Sequence, residues 1–187
     1  MKTKLIIIGG GGHSRSCLDV IKSKSEYRVI GYTDLKKDNK INLKYLGKDK
    51  DLISKKKICN NLIIGIGQIK SPNIRIKLIS MFQKENYKFP IIISSRAYVS
   101  SNSIIDDGTI VMHDALVNSN TKIGKFSIIN TKCLIEHDSK IGNYSHISTG
   151  VIINGNCTIG NKTFIGSGSI INENIKIGNN CVIKSGS

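Results

Sequence analysis

Residues 121–150 read TKIGKF-SIINTK-CLIEHD-SKIGNY-SHISTG. The third residue of every block is isoleucine, and the pattern runs on in both directions. From Val99 to Ile183 every sixth position, fifteen in all, is Ile or Val. Neither the helical period of 3.6 nor the strand period of 2 selects one position in six. A six-residue period belongs to a parallel β-helix, in which each hexad is a short strand and a corner and three hexads close one triangular coil. Two positions ahead of each aliphatic the residue is small, as at Ala97, Ser127, Cys133, Ser145 and Thr163, with Val151 and Ile175 as exceptions. One large and one small inward side chain per hexad fill a narrow interior. Gly124, Gly142, Gly160 and Gly178 recur once per coil, where a tight corner with unusual dihedrals is expected to need glycine. The phase never slips, so about five coils are expected, stacked at roughly 4.8 Å.

The composition changes near residue 90: before it lysine and helix formers dominate, after it Ile, Asn, Ser and Gly. Two domains are expected, an α/β unit over residues 1–94 and the all-β helix over 95–187. Met1-Lys2-Thr3-Lys4 leads into only a short apolar run, which is not a signal peptide, and no stretch approaches a membrane span. Five cysteines show no metal spacing; Cys133, Cys157 and Cys181 fall on small inward positions, and an odd, unpaired set suits a reducing cytoplasm. The net charge of +15 points to anionic partners. The lysines are scattered and not interleaved with aromatics, which argues against nucleic acid, whereas coenzyme A and nucleotide-sugars are polyanions that suit the same charge.

Ahead of the repeat, residues 4–8 read as a buried parallel strand. Gly9-Gly10-Gly11-Gly12-His13-Ser14 follows, then a helix over 14–24 and a strand over 27–32 that ends near Asp34. A strand, glycine turn, helix and strand, with an acid some 20 residues on, present N–H groups to a phosphate and an acceptor to a base or ribose. The fingerprint lacks its third glycine, Ser14 standing there, and a tight turn without ligand is the alternative. A strand over 61–65 leading into Gly65-Ile66-Gly67-Gln68, a helix over 72–86 and a strand over 89–93 complete the unit. This is about half of a doubly wound dinucleotide fold, suited to a mononucleotide or nucleotide-sugar and not to a dehydrogenase.

The sharpest chemical signal is CLIEHD. His137 lies two places after its aliphatic, at an outward corner, with Ser119 one coil below and Gly155 one coil above. A base beside an uncrowded backbone N–H suits acyl transfer, and Asp138 can hold the other ring nitrogen and select its tautomer. An exposed corner histidine with a solvated neighbour is the alternative. His146 is half a coil away, on another side of a prism about 20 Å wide; it shares a site with His137 only across a subunit boundary. His113, outward and without the flanking acid pattern, reads as surface, and His13 in the glycine loop is placed to touch substrate.

The Gly-Gly-Gly-His-Ser loop, Gly65-Ile66-Gly67, Ile129-Asn130-Thr131 with Leu134-Ile135-Glu136-His137, Ser145-His146-Ile147-Ser148-Thr149, Asn154-Gly155 and Thr163-Phe164-Ile165-Gly166-Ser167 resemble the NeuD/PglD-type sugar O/N-acyltransferases over essentially the whole chain. The resemblance implies a left-handed β-helix, a cytoplasmic homotrimer with sites between subunits, acetyl-coenzyme A as cosubstrate, and no metal. By position it implies His137 as general base with Asp138 as its acidic neighbour. His146 would line the acetyl-coenzyme A site from the adjacent subunit, Gly155 would offer its N–H to the thioester carbonyl, and Gly166 and Ser167 would lie at the cofactor. Gly10, Gly12, His13, Ser14, Asp34, Gly65 and Gly67 would line the nucleotide-sugar pocket. The acceptor then attacks the thioester directly, with no acyl-enzyme.

The first expectation is N-acetylation of a nucleotide-activated amino sugar for glycan or surface polysaccharide synthesis. O-acetylation of sialic acid is the close alternative: Ile-Asn-Thr and Asn-Gly are similar to the sialic acid branch, and Ser-His146 to the amino-sugar branch. A non-catalytic nucleotide-sugar-binding subunit is the third. Two departures stand out. Asp138 occupies a place where the amino-sugar branch often has Glu, and the sequence stops at Ser187, before the cap that contacts coenzyme A in the family.

Overall fold

The computed structural model describes residues 2–69 and 71–187. It divides into two compact units, Met1–Gly67 with Asn73–Pro90, and Gln68–Pro72 with Ile91–Ser187. In the first unit β1 (Thr3–Ile8) lies between β2 (Tyr27–Thr33) and β3 (Leu62–Ile64), all parallel. Leu5, Ile6, Ile7 and Ile8 are fully buried, as an uninterrupted apolar run in a central parallel strand requires. The helices are α1 (Gly12–Lys22) and α2 (Asn73–Lys84), which bury Cys17, Leu18, Val20 and Ile21, and Ile79 and Phe82.

The strand expected over 89–93 is divided between the units. Lys88 bridges to Asn61 and its carbonyl accepts the Leu62 N–H, whereas Ile92–Ile93 pairs with Ile110–Val111 as the first rung of the prism. Ile93 is six residues before Val99, so the repeat begins one hexad earlier than the fifteen read from the sequence.

The second unit is a parallel solenoid of two-residue strands in three sheets of six, five and five. The first face carries Ile92–Ile93, Ile110–Val111, Ile128–Ile129, His146–Ile147, Phe164–Ile165 and Val182–Ile183. The second carries Tyr98–Val99, Leu116–Val117, Leu134–Ile135, Ile152–Ile153 and Ile170–Ile171. The third carries Ile104–Ile105, Lys122–Ile123, Lys140–Ile141, Thr158–Ile159 and Lys176–Ile177. Each residue pairs with the one eighteen later, as Leu134 with Ile152 and Lys140 with Thr158. The second residue of each strand turns inward, and Val111, Val117, Ile123, Ile129, Ile135, Ile147 and Ile153 form one continuous core.

The small inward positions do more than fill space. Thr109 Oγ1 donates to the Gly124 carbonyl and accepts the Ser127 N–H; Ser127 Oγ donates to Gly142 O and accepts the Ser145 N–H; Ser145 Oγ donates to Gly160 O and accepts the Thr163 N–H. A column of hydroxyls thus satisfies buried corner groups that the strands leave over. Cys133 and Cys157 fill the same role, each Sγ 2.9 Å from a corner carbonyl, Ser148 O and Asn172 O.

The expectation that Gly124, Gly142, Gly160 and Gly178 supply the unusual dihedral is corrected: none of them is left-handed. From Gly108 onward the left-handed residue of each corner is the third one after the aliphatic, and it is mostly not glycine: Asp114, Asn120, Phe126, Lys132, Asp138 and Tyr144 all have φ between 56° and 60°. Gly142 is needed for clearance, because a Cβ there would lie 2.5 Å from the Asn161 nitrogen in the next coil. Gly150, by contrast, is left-handed (φ 68°) with open space around it. Gly142→Ala should therefore lower unfolding free energy by about 2 kcal/mol through overpacking. Gly150→Asn should change it by less than about 0.5 kcal/mol, since Asn tolerates this conformation. Denaturant titration of the two variants checks the contrast.

Candidate active site

The second corner, where the chain passes from the second face to the third, holds Glu136-His137-Asp138. Its backbone is pinned from both sides: the Asp138 N–H donates to Ser119 O below, and His137 O accepts the Asn156 N–H above. The left-handed turn at Asp138 (φ 60°) brings its carboxylate back beside the preceding ring, with Oδ2 2.7 Å from His137 Nδ1. The other oxygen accepts from Asn120 Nδ2 at 3.3 Å. The hydrogen bond from His137, and after it that from Asn120, hold the Asp138 carboxyl below the usual carboxylate range. With an ionised acid on one side, the imidazole carries its proton on Nδ1 and keeps a lone pair on Nε2.

That lone pair lies against Gly155. A Cβ on Gly155 would be 2.9 Å from His137 Nε2 and 2.8 Å from Cε1, so only glycine lets the ring rest there. In the two coils below, the equivalent N–H groups are taken: Ser119 N donates to Asn118 Oδ1 and His137 N to Glu136 Oε2. The Gly155 N–H has no acceptor among the described residues. A base nitrogen and an uncommitted backbone donor therefore adjoin at one exposed corner, as a reaction that removes a proton and develops an oxyanion requires.

The other histidines are placed differently. His146 turns outward from the first face, but Gln68–Pro72 belongs to the same unit and the Gln68 carbonyl accepts from His146 Nδ1. Nε2 bonds Asn130 Nδ2 at 3.1 Å, and the ring stands edge-on to Phe164. The structure does not bring His146 to His137 within the chain, and both its ring nitrogens are engaged. Gly166 clears the Ser185 backbone, and Ser167 Oγ lies 2.8 Å from Ser148 Oγ on the first corner. His113 is half-buried and not a plain surface residue. Asp114 does follow it, but Arg96 grips that carboxylate through Nε at 3.0 Å and Nη2 at 2.6 Å, and His113 Nδ1 turns to Ser94 Oγ.

In the first unit the Gly10 N–H donates to Asp34 Oδ2 at 2.6 Å, joining the glycine loop to the end of β2. Ser14 is fully buried, its hydroxyl against Gly9 O and Gly65 O. A Cβ on Gly65 would collide with that hydroxyl, so Ser14 and Gly65 lock the loop to β3. A Cβ on Gly67 would meet the His13 side chain at 3.5 Å. Gly12 opens α1, whose N-cap Gly11 makes no side-chain cap bond. Beside the loop is a cavity of about 670 Å³ lined by Gly9, Asp34, Lys48, Ile66, Lys77 and Met81, among others. Gly12 is thus exposed and Asp34 half-buried, whereas Gly10, packed against the Tyr32 ring, is buried like Ser14 and Gly65.

Sequence reading passed over Asn118, Asn120 and Glu136. The signal for them was available: each asparagine lies eighteen residues before one of the acids that flank His137.

The profile of the PglD N-terminal domain family matches residues 4–82, and that of the bacterial transferase hexapeptide family (six repeats) matches residues 156–187. The chain joins a PglD N-terminal domain to a hexapeptide-repeat prism. This is the NeuD/PglD-type make-up that its motifs resemble. No curated protein matches it in sequence. Among solved structures, the acetyltransferase domain of PglB from Neisseria gonorrhoeae, in complex with acetyl coenzyme A, aligns with a TM-score of 0.90 at 24% identity over 100% of this chain and 90% of that one. A mutant GDP-perosamine N-acetyl transferase from Caulobacter crescentus, in complex with CoA and GDP-perosamine, aligns with a TM-score of 0.76 at 22% identity over 93% and 90%. WeeI from Acinetobacter baumannii gives 0.77 at 22% over 98% and 95%. These likenesses establish a shared fold.

The depressed Asp138 pKa has a pH signature. The pair adds stability above the ordinary carboxylate range, and that part is lost as pH falls through the lower folded-state value. Asp138→Asn should flatten the acid side of the stability curve, as read by thermal melting over the acid range.

Proposed function

We propose that this chain is an acetyl-coenzyme A-dependent acetyltransferase acting on the amino group of a nucleotide-activated amino sugar. The observation that carries the reading is the adjacency of His137 Nε2 to Gly155, whose N–H is uncommitted. The neutral acceptor amine attacks the thioester carbonyl and a C–N bond forms. Nε2 takes the proton that the amine nitrogen sheds, and the Gly155 N–H supports the charge on the carbonyl oxygen. The C–S bond then breaks and the imidazolium returns the proton to the leaving thiolate. Asp138 stabilises the imidazolium between these transfers. Cys17 and Cys133 are poorly suited to a covalent intermediate: burial pushes their thiols up to about 12.

The acceptor's nucleotide is assigned to the cavity beside the glycine loop. Its size is that of a small-molecule site, the uncapped first turn of α1 offers N–H groups to phosphate, and its lining carries both cations (Lys48, Lys50, Lys77) for phosphate and acids (Asp34, Asp49, Asp51) for hydroxyl or base donors. The solved relative that holds GDP-perosamine supports the same class of acceptor.

The second face supports a trimer. Its outward column is Tyr98, Leu116, Leu134, Ile152 and Ile170, with Tyr98 60% and Ile170 54% exposed. The equivalent column of the third face carries Lys122, Lys140 and Lys176, and that of the first face is buried from Ile92 through His146. A stacked apolar stripe, half-buried at Leu116, Leu134 and Ile152 and exposed at both ends, is a surface for association, and the His137 corner borders it, so subunits associating through it would meet at the catalytic corner.

Two experiments test these assignments. Thiol release from acetyl-coenzyme A is followed with UDP- and GDP-linked 4-amino sugars and with sialic acid. Release with an amino sugar, reduced about 10³-fold by His137→Ala in a variant that still melts as a folded protein, is expected. Release with sialic acid alone would make the enzyme an O-acetyltransferase, and thermal stabilisation by nucleotide-sugar alone without turnover would make it a binding subunit. Separately, Leu134→Asp with Ile152→Asp should convert a trimer to monomers in sedimentation velocity; a wild-type monomer would overturn the trimer.

A further inference from the structure

We infer that Asn120 is a positioning residue for the catalytic pair: it holds one oxygen of Asp138 from the coil below and so leaves the other for His137. The inference rests on the acetyltransferase reading of this corner. Three tripeptides stack there in register, Asn118-Ser119-Asn120, Glu136-His137-Asp138 and Asn154-Gly155-Asn156. Asn118 Nδ2 donates to Glu136 Oε2 at 2.7 Å and Asn120 Nδ2 to Asp138 Oδ1 at 3.3 Å. Both acids that flank the histidine are therefore tethered by an amide one coil down. From above, the Asn156 amide turns away to Asn174 Oδ1 at 2.8 Å, so the brace on Asp138 comes from below. It is needed because the Asp138 side chain is half exposed. A carboxylate in water has no reason to keep one oxygen aimed at Nδ1, and an imidazole without that partner loses its fixed tautomer.

The same prism contains its own comparison. His113-Asp114 repeats the His-Asp dipeptide at the first corner, and Asp114 has the same left-handed backbone, φ 58° against 60° at Asp138. Eighteen residues before Asp114 stands Arg96, where Asn120 stands eighteen before Asp138. Arg96 is a fork with donors for both carboxylate oxygens and uses them both. Asp114 is drawn off, and His113 Nδ1 bonds Ser94 Oγ in place of an acid. Asn120 offers one amide donor to one oxygen, and the second oxygen stays with His137. The His-Asp dipeptide, backbone and register agree at the two corners; they differ in the residue beneath the acid, Arg96 against Asn120, and in Ser94, which takes His113 Nδ1 where Asn118 holds Glu136.

Asn120→Arg tests this directly, since it installs the first-corner arrangement under Asp138. The expected result is a fall in kcat of about 10- to 100-fold, the usual cost of losing a partner that orients a functional group, with KM for acetyl-coenzyme A unchanged. Imidazole ¹⁵N spectra should show His137 fixed as the Nδ1–H tautomer in the wild type and exchanging between tautomers in the variant. Asn120→Asp, equal in shape but with no donor, should behave alike. Asn180→Arg, at an exposed left-handed position of the third corner, controls for the substitution itself and should leave both readouts at wild-type values. Wild-type kcat and an unchanged His137 spectrum in folded Asn120→Arg would overturn the inference. Full activity in His137→Ala would instead reject the catalytic reading, and the spectra would still decide the role of Asn120.

Discussion

Each coil of the prism sits in register on the one eighteen residues earlier, and backbone N–H to C=O bonds join the two at the strands, as Leu134 N to Val151 O, and again at the corners, as Asp138 N to Ser119 O. Parallel pairing fixes that register rigidly, because a slip of one residue would turn the inward isoleucines out. The interior accepts the constraint by stacking aliphatics on aliphatics, and the small inward positions accept it by passing hydrogen bonds from one hydroxyl to the next. Function inherits the same constraint. What a corner side chain can do depends on what lies one coil above and one coil below it.

At the second corner those neighbours are chemically matched. Glycine above leaves room for an imidazole and an uncommitted N–H beside it; asparagine below steadies the acid; the left-handed turn brings acid and ring together. At the first corner a similar dipeptide is tied down by Arg96 and Ser94. The three faces differ for the same reason. Lys122, Lys140 and Lys176 on one, an apolar column from Tyr98 to Ile170 on another, and a column buried from Ile92 through His146 on the third give a repetitive scaffold three distinct sides. The apolar side adjoins the corner where chemistry is proposed.

Much of this was legible before any coordinates. The six-residue period fixed the solenoid, and the register placed His137 between Ser119 and Gly155, because both follow from a repeat without insertions. The departures have physical causes. The first rung, Ile92–Ile93, is hidden in the sequence because Tyr87 and Ile91 break the small–large pattern just before it. The once-per-coil glycines looked like turn residues, but their need is space against the next coil, which a pattern of single letters does not reveal. Ser14 and Gly65 looked like loop residues open to a ligand; they pack on each other across 51 positions. His146 looked accessible from its register alone, and its partner Gln68 lies 78 residues away, a contact that no local motif encodes.

The central claim is that the thioester is bound at the corner formed by His137 and Gly155. Backbone amide spectra of the ¹⁵N-labelled protein during titration with acetyl-coenzyme A test it most directly. The Gly155 amide should shift strongly downfield as it gains an acceptor, together with the His137 imidazole, and Gly155→Ala should lose both responses. Saturable binding that perturbs the first face around His146 or the first corner, with the Gly155 amide unmoved, would contradict the account.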